Sequence, residues 1–141
     1  MRIHKFLFAI VAFSLLLLIG CSKGIEDEEQ RIEVQKRSGN EYEKFKVVED
    51  AKKVERVKQI LTRINWQNAE VSMSRPSDYQ FFFQFKNPAI LAKAVLYSVW
   101  ISPNNEQVEI VKGDSQYAQL TREDSARLFE LLTGDNLTGL K

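Results

Sequence analysis

Apolar residues in this chain fall first in an unbroken run, then in alternation, then at helical spacing, and each change of period marks a different element. Phe6 to Ile19 is a run of 14 residues interrupted only by Ser14. Ile32 and Val34 then stand between polar neighbours, which predicts a short half-buried strand ending at Ser38-Gly39-Asn40. Phe45, Val47 and Val48 predict a second extended piece. Val54, Val57, Leu61 and Ile64 recur at steps of three and four with Ile60 beside them, so one face is apolar, and a helix runs from a cap at Asp50 to about Ile64.

Trp66 to Trp100 holds most of the aromatic mass. Val71 to Met73 predicts a strand before the Arg75-Pro76 break, and Tyr79 to Phe85 predicts a stronger one. Period-two geometry puts Tyr79, Phe81, Phe83 and Phe85 on one face, toward the core. Phe82 points the other way between Gln80 and Gln84, and another element is expected to cover it. After a turn at Asn87-Pro88, Lys93 to Ile101 reads as the longest strand; apolar residues on both its faces predict a central position. Pro103-Asn104-Asn105 turns the chain into a strand over Gln107 to Val111, which Gly113-Asp114 ends.

Thr121 opens a last helix, with Glu123 and Asp124 in the first turn where the helix dipole favours negative charge. Leu128, Phe129, Leu131 and Leu132 form its buried side, Gly134 stops it, and residues 135–141 are expected to fray. The order strand, strand, helix, four strands, helix describes one α+β domain over residues 31–134: an antiparallel sheet of five to six strands with two helices on one face.

The N-terminal run has a different use. Arg2 and Lys5 precede it, and at about 1.5 Å per residue its length falls short of a hydrocarbon core about 30 Å thick, so it reads as a signal-peptide core. It closes on Leu18-Ile19-Gly20-Cys21, which resembles a bacterial lipobox. The expectation is that residues 1–20 are removed and that Cys21, the one cysteine, carries a diacylglyceryl group as a thioether. Two acyl chains give stable anchoring where one gives only marginal binding. Residues 21–30 then form a tether in which Glu26, Asp27, Glu28 and Glu29 are a solvated like-charge run. The expected location is the extracytoplasmic face of the cell membrane.

Charge and composition narrow the chemistry. Taking Arg2 and Lys5 from 20 basic residues leaves 18 against 19 acidic ones, a mature net charge of about −1, which argues against nucleic acid as a ligand. The one histidine, His4, lies in the signal segment, so the mature chain has neither imidazole nor free thiol. Ser-His-Asp and Cys-His nucleophile systems are excluded, as are zinc sites built from His and Cys; no metal or cofactor is expected beyond the covalent lipid. Partners are expected to be the membrane, through the anchor, and an envelope protein or wall polymer.

The domain resembles the YhfM-like small lipoproteins of bacilli. The resemblance runs from about Ile32 to Thr133 and rests on Val34-Gln35-Lys36-Arg37-Ser38-Gly39, Tyr79-Gln80-Phe81, Phe85-Lys86-Asn87-Pro88, Trp100-Ile101-Ser102-Pro103 and Gln116-Tyr117-Ala118-Gln119-Leu120. It implies a surface lipoprotein and attaches no catalytic residue.

Three functions stay open. A non-catalytic binding or regulatory module would use the polar-aromatic group Arg75, Asp78, Tyr79 and Tyr117, since arginine and tyrosine favour interface hot spots. The basic helix face Lys52, Lys53 and Arg56 could meet an anionic surface or simply be solvated. A carboxylate-only wall hydrolase would need two of Asp78, Glu109 and Asp114 roughly 5–9.5 Å apart across a cleft. A passive structural component of the envelope would need no site.

Overall fold

A computed structural model describes Gly24, Ile25 and Glu28 to Lys141. The expected signal segment 1–20, Cys21 and part of the tether lie outside the described residues. Alternation about Ile32 and Val34 builds strand β1 (Gln30–Ser38), which turns at Gly39-Asn40 into β2 (Glu41–Val48). Gly39 takes φ 63° in that turn, where a Cβ would be disfavoured. Helix α1 (Ala51–Arg63) is capped by Asp50, which accepts the Lys53 N–H at 2.9 Å. That bond holds the Asp50 carboxyl below its usual range.

Strand β3 (Gln67–Asn68) is followed by β4 (Tyr79–Phe85), β5 (Tyr97–Ile101), β6 (Val108–Lys112) and β7 (Gln116–Gln119). Helix α2 (Arg122–Thr133) is capped by Thr121, which accepts the Asp124 N–H, and stopped by Gly134 at φ 83°. The strands form a single antiparallel sheet in the order β2-β1-β4-β5-β6-β7-β3. The fold is α+β with seven strands rather than five to six.

One face of the sheet takes both helices. Ile32, Val34, Phe81, Val99 and Ile110 from the strands share a core with Val57, Leu61, Leu128 and Leu132 from the helices. Among the described residues, every member of that core lies between Ile32 and Leu140. One polar group is built in. Ser125, with no exposure, accepts the Val108 N–H at 2.9 Å and ties α2 to the start of β6.

Several expectations need correction. Val71 to Met73 is not a strand; the chain pairs earlier, where Gln67 and Asn68 meet Tyr117 and Gln116 at the sheet edge. The strand expected from Lys93 starts only at Tyr97, leaving Val95 46 % and Leu96 39 % exposed, and β1, with nine residues, is the longest. Its central place is as expected, between β4 and β6. Phe82 is half-buried opposite Glu33, on the face away from the helices. The tail is ordered by burial: Leu137, in a 3-10 turn over Leu137–Gly139, is 1 % exposed, and Asn105 donates to the Leu140 carbonyl at 3.0 Å. At the other end, Gln30 already belongs to β1, and the preceding Glu29 is tied to Lys86 through backbone and side chain.

Candidate functional site: a cleft where two strands part

β4 and β5 pair only from Tyr79↔Val99 to Phe81↔Tyr97. Beyond that point Phe82 to Phe85 continue along β1 alone, while the chain from Lys86 to Leu96 swings out as a loop. The two strands make a fork, and a cleft of about 870 Å³ occupies it. Small-molecule sites span roughly 300–1,000 Å³, so the space is of that order.

The cleft is built from distant parts of the chain. Trp66, just past α1, donates its indole N–H to the Leu61 carbonyl at 2.8 Å. That carbonyl lies in the last turn of the helix, where intrahelical donors run out, so the bond satisfies it and fixes the ring. Tyr97 forms the base of the fork: it stacks on Phe81 at 4.8 Å and meets Phe83 edge-on at 6.0 Å and Trp66 at 6.3 Å. Ile90, Leu91 and Val95 of the loop complete the apolar wall. Asn87 shapes the loop's start by accepting the Ala89 N–H at 3.0 Å, and the Gly113 N–H holds its end at the Leu96 carbonyl at 2.8 Å.

Among the described residues, charge lining the cleft has one sign: Arg31, Lys58, Lys86, Lys93 and Lys112 line it, and no Asp or Glu of the described residues does. Lys86 is paired with Glu29 at 3.0 Å and Arg31 with Glu49 at 3.8 Å. Lys58, Lys93 and Lys112 make no ion pair among the described residues. Lys58 instead sits 5.8 Å from the Phe83 ring centre and Lys112 6.0 Å from that of Trp66, within cation–π reach.

The residues singled out in the sequence go elsewhere. Arg75 and Asp78 form a two-pronged ion pair at 2.6 and 2.9 Å; Asp78 also accepts the Ile101 N–H, and Arg75 donates to the Ile101 carbonyl. Trp100 donates to the Arg75 carbonyl at 2.9 Å, so this group clamps the loop before β4 to the end of β5. Tyr79 is 5 % exposed, set in the core between Phe45 and Phe129. Tyr117 bonds Glu109 through its hydroxyl; burial and that carboxylate push its pKa up to about 12. The four do not form one binding patch.

Lys52, Lys53 and Arg56 are exposed on α1. Lys53 and Arg56 join Arg63 and Arg127 along a smaller groove between the helices, of about 520 Å³, with Glu130 also lining it. Asp78, Glu109 and Asp114 line neither this groove nor the fork cleft, so no two of them face each other across either. No group of three potential metal ligands occurs among the described residues, and no helix among them is long and apolar enough to cross a membrane.

Reading along the chain missed the fork because its walls, Lys58, Trp66, Phe83 and Lys112, come together only through the strand order. One local signal was present: from Lys86 to Ile101 the sequence has no acidic residue, yet it alternates apolar groups with Lys93.

The family model described as YhfM protein matches residues 25–137, and the chain belongs to that family. No curated protein and no solved structure matches it.

Proposed function

We propose that this member of the YhfM family is a lipid-anchored binding module of the cell envelope, held at the extracytoplasmic membrane face by Cys21 and working through the fork cleft rather than by catalysis. The observation that carries the reading is the cleft itself: an aromatic wall with a ring fixed by Trp66–Leu61 and, among the described residues, lining charges that are all positive. Such preorganisation is what a binding site needs, since groups already ordered lose less entropy on association. The lipobox supports the anchor, and the position of the cleft supports the link between the two. Lys86, at the cleft's rim, holds Glu29, eight residues after Cys21. Eight extended residues reach at most roughly 28 Å, so an anchor at Cys21 keeps the cleft close to the bilayer.

Intact mass of the protein recovered from membranes tests the anchor. The expected species begins at Cys21 and carries the diacylglyceryl mass, and Cys21→Ser is released or left unprocessed. A membrane-retained, normally processed Cys21→Ser protein would refute the anchor.

A further inference from the structure

We infer that the fork cleft takes an acyl amphiphile with a negatively charged head, its chain lying on the Trp66, Phe83 and Tyr97 rings and its head between Lys58 and Lys112. This deepens the binding reading above by naming the ligand class. Three observations place the two halves of such a molecule. The floor is apolar and continuous, because Tyr97 contacts both Phe83 and Trp66. The two ammonium groups hang over that floor, at Phe83 and Trp66, and neither is neutralised by a carboxylate among the described residues. A neutral apolar ligand would leave both charges partly desolvated without compensation, whereas an anionic head pairs with them.

The third observation concerns where the molecule would come from. The loop that walls the cleft carries Leu91, 97 % exposed, together with half-exposed Val95, and it follows directly from Lys86, to which the tether residue Glu29 is bound. The loop wall of the cleft therefore lies at the end of the domain where the tether joins it. Membrane lipids and their single-chain breakdown products present this combination of chain and anionic head at that surface.

The mature chain with Cys21→Ser, made without residues 1–20, allows a test in solution that is independent of lipidation, so failure of the anchor leaves it intact. Decanoate and decanol share a ten-carbon chain and differ in the charged head. Two indole N–H signals, from Trp66 and Trp100, report the outcome by NMR, with Trp66→Phe assigning them. Decanoate should shift the Trp66 signal saturably and leave Trp100 in place, with decanol binding about tenfold more weakly, the scale of one lost charge-assisted contact. Lys58→Gln with Lys112→Gln should abolish the preference while decanol binding persists, and an unchanged Trp100 signal would show the variant folded. Equal affinity for the two ligands, no saturable shift at Trp66, or a preference that survives in the folded double variant would overturn the inference. Substitution at Lys53 and Arg56, in the other groove, should leave the Trp66 titration unchanged; a loss there would also overturn it.

Discussion

The rings of Phe81 and Tyr97 stack 4.8 Å apart and 7° from parallel, at the last residue pair that β4 and β5 share. This pair is both the end of the strand ladder and the base of the cleft, so packing of the core and shape of the site depend on the same contact. Phe81 has no exposure and cannot be shortened without leaving a cavity. Phe81→Ala should cost about 3–5 kcal/mol in urea unfolding and should also weaken ligand binding in the cleft. A loss below about 1 kcal/mol would mean that the neighbouring rings close the gap, contrary to the packing described.

Ser125 is a second structural dependence, and a polar one. Its hydroxyl is the partner of the Val108 N–H in the interior, so Ser125→Ala leaves a buried donor unsatisfied. The expected destabilisation is about 1–3 kcal/mol by chemical denaturation, and Ser125→Thr should recover part of it if the extra methyl is accommodated.

Much of this architecture is legible along the chain, and the reason is burial on one side. The alternation of Tyr79, Phe81 and Phe83 and the helical spacing of Val54, Val57 and Leu61 each report a face turned to one core. Legibility fails where that link breaks. Val95 and Leu96 look like a strand because they continue an apolar run, yet the adjacent part of β4 pairs only with β1 and the ladder to β5 begins at Tyr97. β3 is invisible for the opposite reason: Gln67 and Asn68 have no strand pattern, and they pair because β7 offers an open edge. Leu137 reads as part of a polar tail, but its side chain fills the core. The cleft belongs to the same class, since no local pattern brings Lys58 near Phe83.

Arg75 and Asp78 are a case where residue types suggested recognition and geometry shows support. Both carboxylate oxygens of Asp78 and both terminal nitrogens of Arg75 are engaged within the chain, on each other and on Ile101. Asp78→Ala should therefore lower stability by about 1–3 kcal/mol and leave the cleft's affinity for a ligand unchanged. Loss of binding in a variant of undiminished stability would return these residues to a recognition role.

Tyr117 gives the domain an alkaline limit. Its hydroxyl titrates near 10 in an unfolded chain but at about 12 when folded, because burial and the Glu109 carboxylate both disfavour the phenolate. The folded state holds this proton more tightly, so the stabilisation is complete below about pH 10 and is lost as pH rises through about 12. Denaturation at fixed temperature should show stability falling across that window, with a shallower fall in Tyr117→Phe. Some slope will persist, since burial also raises Tyr79 and Tyr97. An identical profile in the variant would show that Tyr117 does not carry the effect.

The claim that the fork cleft is the working surface of an anchored module is tested most directly by photocrosslinking in intact cells, with a photoreactive residue at Val95 in the cleft wall or at exposed Asn40 in the β1–β2 turn. One dominant low-mass lipid adduct is expected from Val95, weakened by Lys58→Gln with Lys112→Gln, and none from Asn40. No adduct at Val95, or the same products from both positions, would contradict it.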